Sequence, residues 1–90
     1  MLHYLCVTQS ATRHGWSPAD VRWAVDHAVL TVDVATHQPE AIVGILNLGP
    51  ARDGRMLEVL VIMNDEAEEV AIHAMAIHPS YRRLLAEGSR

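Results

Sequence analysis

The chain has 90 residues, of which 50% are hydrophobic and 20% charged, which excludes an intrinsically disordered polypeptide. A chain of this length buries only about 60–65% of the surface it would expose unfolded, so residues 1–90 are read as one domain. Eleven acidic residues against seven basic ones leave a net charge of −4, which argues against a protein that coats long nucleic acid.

In chain order, Leu2 to Val7 is short and apolar and reads as an edge strand. Thr8 caps a short predicted helix through His14, and Gly15 supplies the left-handed residue that ends it. The next helix has the strongest signals in the chain. Ser17 is its N-cap, Pro18 stands at N1, Asp20 at N3 completes a capping-box-like arrangement, and Trp16 staples onto Val21. Val21, Ala24, Val25, Ala28 and Val29 follow the helical repeat and form one apolar stripe.

After Leu30 the apolar period drops from 3.6 to 2. Thr31 to Ala35 and Ala41 to Leu48 read as strands flanking a turn at Gln38-Pro39-Glu40. Asp53-Gly54 between apolar runs predicts a hairpin, Met56 to Met63 a strand, the acidic stretch from Asp65 to Glu68 a turn, and Val70 to Ile77 a last strand. Pro79 opens a closing helix over Ser80 to Ala86. The order predicts an α+β domain, with N-terminal helices packed on a curved antiparallel meander of about four strands and a short C-terminal helix.

Register decides where the chemistry sits, because a slip of one residue turns every side chain over. A two-residue turn at Asp53-Gly54 pairs Arg52 with Arg55, Gly49 with Glu58 and Asn47 with Leu60. A tight turn near Glu66-Ala67 pairs Glu58 with Met75 and Leu60 with His73. One face then carries Leu46, Leu48, Leu57, Val59, Val61, Val70, Ile72 and Ala74. The other gathers Asn47, Glu58, His73 and Met75. A five-residue second loop would instead place His73 among Leu57, Val59 and Val61 with no partner.

Six histidines in so short a chain focus the chemical question. His73 is the first candidate, since an imidazole titrates near neutrality and a neighbouring carboxyl, Glu58, would fix its tautomer. The opposing reading makes His73 a satisfied structural residue and Glu58 a solvating group on a half-wet face. His14, before Gly15, is either a helix-end residue or a second acid–base group. His78 reads as a loop residue, and His3, His27 and His37 as surface. Tyr81 either packs its ring or presents its hydroxyl to the polar face. Every basic residue is arginine; Arg52, Arg55, Arg82 and Arg83 are solvated charges by default and phosphate ligands if they flank that face. No metal is expected, because the chain lacks a cysteine pair, His-x-His and His-Glu-x-x-His. No phosphate loop or dinucleotide fingerprint is present, and no cofactor is expected.

Arg13-His14-Gly15 followed by a helix resembles the Lys-His-Gly signature of the BrnT-like toxins. These are small ribonucleases of type II toxin–antitoxin modules with a RelE-like fold. Leu48 to Val59 is similar to their glycine-centred hairpin and following strand. Ile72-His73-Ala74-Met75 with Tyr81 to Leu85 resembles the ending of an actinobacterial branch, so the likeness runs from about Thr8 to Ala86. The usual Ser-Ala-Arg ending is His73-Ala74-Met75 here, and the usual lysine is Arg13.

The resemblance implies an mRNA-cleaving toxin working by transesterification. His73, His14, Glu58 and Tyr81 would carry catalysis, and Arg13, Arg52, Arg55, Arg82 and Arg83 would bind RNA. It also implies a cognate antitoxin with a DNA-binding part, possible action on the ribosome, and a homodimer or heterotetramer. The alternative is a non-catalytic RelE-fold module that only binds a partner. The start Met-Leu-His-Tyr lacks a secretion signal, no apolar run approaches the ~18 residues of a membrane span, and Cys6 stands alone. The expected location is therefore the cytoplasm, with no membrane attachment.

Overall fold

The computed structural model describes residues 5–35, 43–64 and 66–88. It is a small α+β fold with a five-stranded mixed sheet and two α-helices, one on each face. The strands are β1 (Cys6–Val7), β2 (Leu30–Ala35), β3 (Val43–Pro50), β4 (Met56–Met63) and β5 (Glu69–Ala76), in the order β1-β5-β4-β3-β2. Strands β2 to β5 form the expected antiparallel meander. The fifth strand is the N-terminal edge segment, which pairs parallel to β5 (Cys6 with Val70, Val7 with Ala71).

The helices differ from expectation. Between Thr8 and His14 there is only a 3-10 turn, Ser10–Thr12, so no first α-helix exists and His14 does not sit at a helix dipole. Thr8 still organises this turn, accepting from the Ala11 N–H and donating its hydroxyl to the Ala71 carbonyl at 2.9 Å. Gly15 has φ +91°, the left-handed conformation its position predicts. Helix α1 (Pro18–Asp26) starts as the sequence dictates, with the Ser17 hydroxyl accepting from the Asp20 N–H at 3.2 Å. It stops earlier: His27 caps it, and Val29 turns out to solvent, 64% exposed, instead of completing the stripe.

The first hairpin corrects the predicted register. Its loop is five residues, 51–55, closed by Ala51 N–H to Arg55 O and Gly54 N–H to Ala51 O, and Pro50 pairs with Met56. Arg52 does not pair with Arg55; Glu58 faces Leu48, and Asn47 faces Val59. Leu46 and Leu48 therefore leave the Leu57–Val59–Val61 face and join the face of Glu58, Leu60, His73 and Met75. Asn47 crosses to the α1 side, buried, donating to the Ile45 and Val59 carbonyls.

Both faces are consequently apolar over part of their area. On the α1 face, Val21 and Ala24 of the helix pack on Leu57, Val59, Val61, Ala71 and Ala74, with Trp16 against them. On the other face Leu46, Leu48 and Ile77 gather Leu30, Val32, Leu60, Tyr81 and Leu85. The last two are supplied by helix α2 (Pro79–Gly88), which supplies the apolar cover that the two-faced reading lacked.

The second hairpin reaches the predicted pairing only for Glu58 and Leu60, and by a different route; nearer the turn Ala71, not Val70 or Ile72, takes the core face. Met63 pairs with Glu69, so the connection spans residues 64–68, a register that would turn His73 into the α1 core. A β-bulge intervenes: Val61 pairs with Ala71 but Leu60 with His73, leaving Ile72 as the extra residue. Beyond it, Glu58 pairs with Met75 as expected. The predicted turn at 38–40, His3, His37 and the ends of the first and third predicted strands lie outside the described residues.

Strand β3 crosses under α1 at Gly49. A Cβ there would overlap the Ala24 carbonyl oxygen and press on the Ala28 Cα, both backbone and unable to yield. Gly49→Ala should destabilise the domain by about 1–3 kcal/mol, the usual cost of overpacking. The check is the midpoint of urea unfolding, with Gly54→Ala as a comparison at an open but left-handed position.

Candidate functional site

The site assembles along β5 where β1 no longer covers it. Because Thr8 is fastened to Ala71, the 3-10 turn that follows runs beside the second half of β5. Ala11 anchors this turn in the core, fully buried. His14, at its end, stands edge-on to His73, ring centroids 6.1 Å apart and planes at 77°. The bulge is what aims His73 at this position.

Behind His73 lies Glu58, whose side chain is 11% exposed against 35% for the imidazole. One carboxyl oxygen, Oε2, lies 3.4 Å from His73 Nε2, and the other accepts the His78 N–H at 2.9 Å. The first contact is long for a hydrogen bond and orients the ring more than it binds it. The second closes the approach to α2. His78, expected in a loop, is the residue before that helix; its Nδ1 accepts the Ser80 N–H, leaving a proton for Nε2 when the ring is neutral. The Ser80 hydroxyl, 2.8 Å away, donates to the same nitrogen.

Beside His14 opens a cavity of about 390 Å³ lined by His14, Gly15, Trp16, Arg55, Met75 and Ala76. The Arg55 guanidinium lies over the Trp16 ring, 4.6 Å from its centroid, a cation–π stack. Asp53 holds Arg55 in place by accepting from its Nε at 2.7 Å and its Nη2 at 2.6 Å. The loop itself is pinned to α1 by Asp20, whose Oδ1 accepts from Arg52 Nε and from the Arg52 N–H.

Of the residues singled out from the sequence, the structure brings together His14, His73 and Glu58, with Arg55 across the cavity. Tyr81 is not part of that group. Its ring packs with the Leu46–Leu48–Ile77 cluster and meets His78 edge-on at 6.4 Å. Arg52 is committed to Asp20. Arg13, Arg82 and Arg83 are exposed and form no ion pair with a described residue. Sequence reasoning assigned Trp16 only a packing role and did not connect Asp20 or Asp53 to the site. Asp20 is 32 residues from Arg52, and nothing local announces that contact.

Among the described residues, no group of three His, Cys, Asp or Glu side chains is close enough to hold a metal ion. No described helix is long and apolar enough to cross a membrane. No family model, curated protein or solved structure matches the chain.

Hydrogen bonds from the Arg52 guanidinium and backbone hold the Asp20 carboxyl below the usual carboxylate range, and Arg55 does the same for Asp53. A carboxyl with a lower pKa folded than unfolded stabilises the fold above its unfolded value, about 3.9. That contribution disappears as pH falls through the folded value. Urea midpoints measured downward from about pH 5 should therefore decline more steeply for the wild type than for Asp20→Asn/Asp53→Asn. Both pairs are exposed, so added salt should narrow the difference.

Proposed function

We propose that the chain is the toxin of a type II toxin–antitoxin pair, an endoribonuclease of the BrnT-like, RelE-fold kind that acts without a metal ion. The observation that carries this reading is the pair of imidazoles 6.1 Å apart, one of them backed by a buried carboxyl. The resemblance of Arg13-His14-Gly15 and Ile72-His73-Ala74-Met75 to the family's motifs supports it.

Cleavage of RNA by its own 2′-hydroxyl requires a base, an acid and charge facing the phosphate. His73, oriented by Glu58, takes the 2′-OH proton. The 2′-oxygen bonds to phosphorus while the bond from phosphorus to the 5′-oxygen breaks. His14 protonates that leaving oxygen, giving a 2′,3′-cyclic phosphate and a free 5′-hydroxyl. Arg13, beside His14, offers positive charge to the phosphate, and Arg55 faces the adjoining nucleotide. The target is single-stranded mRNA in the cytoplasm, free or on the ribosome. A small antitoxin with a DNA-binding part holds the toxin silent by covering the open stretch of β5.

A second reading, a RelE-fold module that only binds its partner, draws support from the ion pairs. Arg52 and Arg55 are both matched to carboxyls, which lessens the positive charge available to RNA.

Replacing His73 or His14 by alanine should lower RNA cleavage by about 10²–10⁴-fold, the usual contribution of one acid or base. Circular dichroism should be unchanged, and growth arrest on expression should be relieved. Substrates with a single 2′-deoxy nucleotide at the scissile position should resist cleavage. Wild-type protein that cleaves neither free nor ribosome-bound RNA would leave the binding-module reading in its place.

A further inference from the structure

We infer that the cavity between Trp16, Arg55 and Met75 is a purine-binding subsite, seating the base of the nucleotide whose phosphate reaches the His14–His73 pair; this rests on the ribonuclease reading above. The cavity, about 390 Å³ and widely open to solvent, has room for one base along its wall. Its lining is that of a base site. The Trp16 ring holds the Arg55 guanidinium flat, so that a base coplanar with it can meet its Nη edge. Met75 and Ala76 add apolar surface, and a thioether makes favourable contacts with an aromatic ring.

The hydrogen-bonding character of the wall selects among bases. Arg55 is donor-only, and Asp53 engages its Nε and Nη2. Among the described residues, the Nη1 end meets no carboxyl and no carboxyl lines the cavity. Such a site offers donors to a ring acceptor. Purines carry the N7 acceptor within reach of Nη1, and in guanine O6 lies beside it for a bidentate pair. Pyrimidines lack N7 and present a smaller face for stacking.

Position ties the cavity to the chemistry. His14 belongs both to the cavity wall and to the imidazole pair. A base paired with Arg55 therefore has its sugar and phosphate near His14. The ion pair to Asp53 keeps the guanidinium in its plane over the indole, so Asp53 acts as a positioning residue for the subsite.

The full chain carrying Trp23→Phe retains Trp16 as its only tryptophan, and the fluorescence of that residue reports on the cavity. Titration with AMP and GMP should shift the Trp16 emission with affinities at least tenfold tighter than CMP or UMP. Ribose 5-phosphate should bind no better than the pyrimidine nucleotides. Arg55→Lys, which keeps the charge and loses the plane, should erase the purine preference while circular dichroism stays unchanged. Equal binding of all four nucleotides, equal binding of ribose 5-phosphate, or an unchanged preference in Arg55→Lys would each overturn the subsite. Assays of RNA cleavage by the same protein separate the two claims. Purine binding without cleavage removes the ribonuclease reading alone, and cleavage with no Trp16 response to any nucleotide removes the subsite alone.

Discussion

The Glu58 carboxyl is the point on which both sides of the sheet depend. It sits in an otherwise apolar strand at 8% exposure, where a polar group without partners would cost on the order of 1–3 kcal/mol. Its two oxygens are both used, one toward the His73 ring and one on the backbone N–H of His78. A single side chain thus positions the central imidazole and fixes where the chain leaves β5 for α2. That helix in turn covers Leu46 and Leu48 through Tyr81 and Leu85, so the apolar cover of this face and the orientation of the site trace back to the same group.

A second carboxyl does comparable work on the opposite side of the cavity. Asp20 belongs to the start of α1, exchanging hydrogen bonds with Ser17, and also receives Arg52 from the 51–55 loop. The loop carries Arg55, whose plane over Trp16 forms the wall of the cavity. The helix cap, the hairpin loop and the cavity wall therefore share one anchor. Because these contacts are exposed, their value lies in geometry more than in stability.

The parts of this molecule that local rules govern were legible in the sequence. Ser17, Pro18 and Asp20 announce the start of α1, and the boundaries of β4 follow from an apolar run interrupted only by Glu58. The contact of Glu58 with His73 was also legible, through strand alternation. What was hidden depended on distant pairing. The Asp53-Gly54 signal located the first hairpin, but the loop's internal hydrogen bonds lengthened it by enough to send Leu46, Leu48 and Asn47 to the faces opposite those expected. Thr8 and Gly15 marked the ends of a segment too short for an α-helix, which settled into a 3-10 turn held by Ala71. Trp16, read as a staple on Val21, packs against the core cluster that contains Val21; its other partner, Arg55, comes from a hairpin 39 positions away, beyond the reach of any local signal.

The bulge at Ile72 has a consequence for how this chain can vary. The 64–68 connection is one residue too long for His73 to emerge beside Glu58, and the extra residue in β5 cancels the excess. The two irregularities are complementary lengths, so neither tolerates change alone. Deleting one position from the connection inverts the strand unless the bulge is lost with it, and straightening the bulge inverts it unless the connection shrinks. Descendants of this sequence that keep the imidazole facing the carboxyl must therefore alter both places together, in compensating steps of one residue.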